Sequence, residues 1–452
     1  MGQRDDLPGD GAVTMVVQTL AKRLATAVGE AVDRVWGRLP TLLLLVLFVL
    51  MLHGEQAGSQ DMEHRLDMIS GGRLFDFTTW ELRALTQKLV LAQFAPQRFM
   101  DEGARAEFVL HYLNQVAEAQ GLDDEIERSY SDPEATDPAV ATVALRGRLA
   151  QLRSEIERTA PIAEAILGEQ VGNVLADAGF GLWRQLLPPV SGMFTPLPYV
   201  LIVSPRDRIE SVYQRQLVAG LTAADQQSIE AEIEGALPDV SAYTTGIGGL
   251  AAYPAMYLES SSLGWVVDVV AHEWTHHYLT FYPLSWYYEK SGEARTINET
   301  TASLLGEWAS QEVLLRYYAP LTEIEKRLPD PLQRVQEAAG TAAPRFDFQA
   351  EMHHTRVIVD EMLAAGKVEE AEWYMEAQRR YFVANGYRLR RLNQAYFAFH
   401  GAYASSAGAA GKDPIGPAVR QLWAVSLNPR DFLREIAHII TLGELQAALA
   451  AS

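Results

Sequence analysis

Residues 263–279 read LGWVVDVVAHEWTHHYL, an apolar stretch with no proline in it, and this pattern predicts a hydrophobic helix over about Leu263 to Leu279. Within it, His272, Glu273, Trp274, Thr275 and His276 spell HExxH. On a helix the i and i+4 spacing stacks His272 over His276 on one face, where both imidazoles reach a single ion. Glu273 stands beside them, placed to take a proton from metal-activated water and pass it toward a departing amine. Zn²⁺ suits two imidazoles plus a carboxylate and leaves a fourth position for water. The plainer reading is a buried His-Glu-His hydrogen-bond cluster that holds no metal.

Twenty-three residues after His276 the chain reads INETTAS, from 297 to 303. With HExxH upstream, this resembles the zincin metallopeptidases, more narrowly the gluzincins of the thermolysin-like clan. Their HExxH is followed by a Glu on a later helix, commonly within NExxxD. Asn298 and Glu299 match that pair. The resemblance therefore implies Glu299 as third metal ligand beside His272 and His276, Zn²⁺ as cofactor, a two-lobed zincin-like core and peptide or unfolded-protein substrates. Ser303 stands where the pattern has Asp, which removes the usual carboxylate partner behind a ligand. Metzincins are not resembled, since Leu279 and Tyr282 occupy the places of their glycine and third histidine. The intervening FYPLSWYYEKSG reads as a turn into a return helix over about Arg295 to Leu315. Glu293 is an alternative ligand, and Glu307, two turns beyond Glu299, a residue behind the ligands. His277 points about 100° away around the helix and reads as packing or support for a ligand. Asp268, one turn before His272, either orients that ring or serves as a cap or salt-bridge partner.

Peptide hydrolysis also needs a donor for the developing oxyanion, and the resembled clan draws a His or Tyr from a helix well downstream. In LRRLNQAYFAFHGAYA, residues 389–404, Tyr396, His400 and Tyr403 fall on one helical face, so Tyr396 and His400 join Glu273 as catalytic candidates. Aromatic core packing is the other reading of that face. His353 and His354, near Arg356, are a second source. The glycine-rich TTGIGGLAAYPAMYLES, residues 244–260, reads as one or two strands with close backbone approach beside a cleft. In the resembled clan an edge strand there holds the substrate backbone, a part that Ala251 to Tyr253 could take.

Around this centre, 452 residues with 48% apolar and 21% charged side chains suffice for one large or several smaller cores. There is no cysteine, which excludes disulfides, iron–sulfur clusters and a thiol nucleophile. A formal charge of -20 without a basic patch argues against nucleic acid as a partner. Residues 61–185 read as a helical region, 195–345 as the zincin-like metal-site domain and 346–452 as a C-terminal helical domain walling the cleft. GLTAADQQSIEAEIEGAL, residues 220–237, reads as a helix capped by Thr222 with Asp225 three residues on.

The longest apolar run, LPTLLLLVLFVLMLH at residues 39–53, comes after an amphipathic and basic segment, 1–38, that includes Lys22, Arg23, Arg34 and Arg38. It predicts a transmembrane signal-anchor, or a signal h-region cleaved near Ala57-Gly58-Ser59, with segment 1–38 cytoplasmic and the bulk periplasmic or extracellular. The expectation is thus a mainly α chain with a small mixed β-sheet, a two-lobed zincin-like core, flanking helical regions and an N-terminal membrane helix in the lipid bilayer. Its expected function is zinc-dependent peptide hydrolysis at the cell membrane, the alternative being a non-catalytic membrane-anchored scaffold with a structural or vestigial zinc site. Oligomeric state is not legible.

Overall fold

In a computed structural model, which describes residues 60–131, 137–181, 185–319, 346–402 and 409–451, Leu263–Leu279 is one helix. Ser262 opens it, its hydroxyl accepting the Trp265 N–H, one of the amides a helix start leaves without a partner. Val266, Val267, Val270, Ala271, Trp274 and Leu279 are all buried, as a helix apolar around most of its circumference requires. This site helix packs along a return helix, Gly292–Val313, whose first turn Ser291 caps through the Ala294 N–H. Close approach of the two depends on Gly306. A Cβ there would lie 2.1 Å from Asp268 Oδ1, so no other residue fits without moving that carboxylate.

Two long helices, Glu102–Ser131 and Val143–Leu175, back the pair. The second runs on through Pro161, which cannot donate to the helix ladder. Burial of Ile156, Ala163, Ile166, Leu167 and Val171 on either side offsets that loss. The C-terminal helices Ile415–Val425 and Pro429–Ile436 complete the same hydrophobic cluster through Val419, Leu422, Phe432 and Leu433.

Among the described residues, six short strands lie beyond the texture change after residue 185: β1 Gly192–Phe194, β2 Tyr199–Pro205, β3 Tyr213–Leu217, β4 Val240–Gly246, β5 Gly249–Leu250 and β6 Ala255–Tyr257. They form two three-stranded sheets. One is mixed, β1-β6-β5, parallel between β1 and β6 and antiparallel between β5 and β6. The other is antiparallel, β3-β2-β4, with Tyr199 opposite Leu217 on one side and Gly246 on the other. Period-2 alternation divides its faces. Leu201, Val203 and Ala242 meet Ile229 and Ile233 of the helix Ala223–Ala236, whose Thr222–Asp225 capping box forms as the sequence predicts. Val200, Ile202 and Tyr243 join a separate cluster under Phe348–Ala364, Val368–Ala384 and Gln394–His400.

The mainly α character and small strands agree with the sequence reading; other parts of it need correction. The small mixed sheet is accompanied by a second, antiparallel one, and the described residues belong to one compact unit. No described helix is long and apolar enough to cross a membrane. The long ones are studded with charge, Arg146, Arg148, Arg153, Glu155 and Glu157 among them, while the apolar site helix has only 17 residues and carries Asp268, His272, Glu273 and His276. The run 39–53, the segment 1–38 and the cleavage site at 57–59 lie outside the described residues. With no spanning helix among the described residues, the expected membrane helix, signal-anchor, bilayer partner and periplasmic or extracellular placement are corrected.

Candidate metal centre

One turn of the site helix brings the His272 and His276 Nε2 atoms within 3.1 Å of each other. Glu299, from the return helix, sets its Oε2 at 3.4 Å from the first and 3.7 Å from the second. A tetrahedral ion with bonds of about 2.0–2.2 Å spaces its ligand atoms roughly 3.3–3.6 Å apart, so the three atoms stand where one small cation would want them. The donor set fits such an ion on a second ground. Glu299 Oε2 is buried and has no hydrogen-bond partner among the described residues, a cost that coordination would remove. No fourth His, Asp or Glu among the described residues joins the group.

Each ligand candidate is held from behind. His276 Nδ1 lies 2.8 Å from Asn298 Oδ1, an acceptor, so the proton sits on Nδ1 and the Nε2 lone pair faces the common point. Glu299 Oε1 accepts the Tyr288 hydroxyl, and the Tyr288 ring stands edge-on to His276 at 6.3 Å. Burial would lower His272, but the nearby Glu299 carboxylate and the charges of Glu273 and Asp268 raise it to about 9. His276 is lowered to about 4, chiefly by burial. A metal would need the lone pairs of both Nε2 atoms, so its binding would displace any proton held there. Burial carries Asp268 up to about 6, with His272 opposing and Glu307 adding to the rise.

Glu273 is buried at 6% exposure and does not join the three ligand atoms. Burial pushes it up to about 8, against the pull of His272. Its Oε1 presses on β5, where a Cβ at Gly249 would lie 2.1 Å away. The glycine-rich strand therefore does approach the site helix by its backbone, and the carboxylate of Glu273 is what it approaches.

The other sequence candidates are not in the triad. His277 Nε2 meets the Ala252 carbonyl at 2.7 Å, with its ring on Tyr253, deep in the interior. Glu293 accepts the Leu442 N–H at 2.7 Å and is not part of the triad. Tyr396 and His400 pack tilted against each other at 4.3 Å, with Tyr243 edge-on to the first at 5.3 Å and tilted to the second at 5.9 Å, and Tyr396 belongs to the cluster over β2 and β4. His353 and His354 are on Phe348–Ala364, the second exposed, and Arg356 there pairs with Asp360 and the Ala409 carbonyl. Tyr403 lies outside the described residues. Sequence reasoning missed Tyr288, which sits inside a stretch read only as a turn, and the orienting role of Asn298. Two adjacent tyrosines at 287–288, eleven residues before a ligand candidate, were the available signal.

No family model, no curated protein and no solved structure matches this chain.

Proposed function

We propose that this chain is a zinc-dependent hydrolase of peptide bonds, with His272, His276 and Glu299 holding the ion and Glu273 acting as general base. The observation that carries the reading is the convergence of three ligand atoms from two helices, with a second carboxylate, Glu273, one residue beyond the first histidine. When bound, the ion supplies Lewis-acid polarisation of a scissile carbonyl and acidifies water. Glu273 takes the proton from the attacking water and returns it to the leaving amine, a task matched to a carboxylate tuned upward by burial. Asn298 keeps His276 in the tautomer that presents Nε2. The backbone of β5, against which Glu273 rests, limits how far the base can swing.

A structural zinc site is normally closed by four protein ligands. Three are present among the described residues, and His272 and His276 keep 16% and 15% of their side-chain surface exposed, which supports an open position that water and substrate can reach. Purified protein should contain about one zinc per chain and cleave members of an unbiased peptide library, with cleavage abolished by a chelator and restored by zinc. Cleavage that persists in Glu273→Gln, or that ignores the chelator, would remove this assignment.

A further inference from the structure

The return helix places Arg295 and Glu299 at i and i+4, one above the other on the same face. Tyr288 lies across both. Its ring rests 5.3 Å from the Arg295 guanidinium carbon and its hydroxyl donates to Glu299 Oε1. Arg295 is itself buried at 7% exposure and anchored by Glu289 at 2.9 Å, so the surface under the ring does not wander. The result is a division of labour within one carboxylate: Oε1 is occupied by the phenol, while Oε2 is buried, has no hydrogen-bond partner among the described residues, and faces the two imidazoles.

We infer that Tyr288 is a positioning residue that makes Glu299 a one-oxygen metal ligand. This rests on the zinc reading and adds to it how the site discriminates among cations. A carboxylate with both oxygens available can close on an ion in bidentate fashion, as larger oxygen-loving cations such as Ca²⁺ favour. With Oε1 engaged by a hydroxyl donor, bidentate closure would break a buried hydrogen bond, and a single oxygen at tetrahedral spacing favours zinc. Arg295 and Glu289 act one step further out, by holding the ring that holds the carboxylate. Tyr288 touches the ligand and need not touch substrate.

The test compares the full chain with Tyr288→Phe, which keeps the ring and its contact with Arg295 and deletes only the hydroxyl. Zinc affinity, measured by competition with a chromogenic chelator, should fall about 10- to 100-fold. The visible absorption of the cobalt-substituted protein should weaken and shift as Glu299 becomes free to bind through both oxygens, a change that a packing role would not produce. Arg295→Met should give a smaller loss in the same direction. Melting of the metal-free proteins should agree within a few degrees, which establishes that Tyr288→Phe folds. Zinc affinity within twofold of the parent together with an unchanged cobalt spectrum overturns the inference and leaves the zinc reading standing. A parent chain that takes up no zinc overturns both.

Discussion

Two places in this molecule carry the same local pattern, a pair of ring side chains four residues apart on a helix. His272 and His276 form one, Tyr396 and His400 the other. Their surroundings make them different chemistry. At the first pair, a carboxylate arrives from a second helix, Asn298 takes the outward nitrogen of His276, and Tyr288 fixes the carboxylate. At the second, the neighbours are Tyr243, Phe397 and Phe399, and burial lowers His400 to about 4 with no compensating carboxylate. Spacing sets which side chains share a face. What that face is good for depends on the polar groups brought to it from elsewhere in the chain.

The comparison breaks first if the two pairs respond alike to loss of a ring. His272→Ala should abolish stoichiometric zinc binding, because a site with two remaining ligands loses an imidazole bond that nothing nearby replaces. His400→Ala should leave zinc content at the parent level. Metal analysis of both proteins decides, and full zinc in His272→Ala would undo the ligand assignment.

Kinetics sharpen the contrast. Glu273→Gln should retain zinc and fold yet lower kcat about 10³-fold, within the range for removal of a general base. Tyr396→Phe and His400→Gln separate two roles for the second pair. A donor to the developing oxyanion would lose about 10²-fold in kcat, whereas residues that stack on one another and on Tyr243 should lose thermal stability with kcat nearly unchanged. The stacking contacts favour the second outcome, and steady-state rates beside melting curves test it.

At the second pair, a pH titration of stability in parent and variant isolates His400. His400 is neutral inside the fold, since burial holds it near 4, while the unfolded chain protonates it near the ordinary histidine value of 6.5. Its contribution is therefore complete above about pH 6.5 and is lost as the pH falls toward 4, by about 2 kcal/mol for a partly buried ring. His400→Phe should flatten that part of a denaturation-versus-pH profile. An unchanged slope between pH 6.5 and 4 would mean that the ring is solvated.

A purely steric effect is expected in the seam between the two helices that carry the candidate ligands. Gly306→Ala places a methyl against Asp268 and should cost about 1–3 kcal/mol by forcing that carboxylate or the helix to move. Gly366→Ala carries no comparable contact and serves for comparison, although its positive φ of 72° adds a strain of its own of about 1 kcal/mol. Equal losses at the two sites would show that the helix seam has room to spare.

Much of the centre was legible because it is local. HExxH, the helix that bears it and the Thr222–Asp225 box all depend on residues within a turn or two of each other, where helix geometry leaves little choice. The sequence by itself thus determined that His272 and His276 share a face, with Glu273 beside them. It left Glu299 and Glu293 both open as third ligand, and it passed over Tyr288. Those were decided by the crossing of two helices that Gly306 permits, which carries Glu299 inward and leaves Glu293 to cap Leu442. The tertiary structure alone also gave the two ring pairs different neighbours, because a carboxylate's reach to a distant imidazole depends on how helices pack against each other and is not written in the spacing along either one.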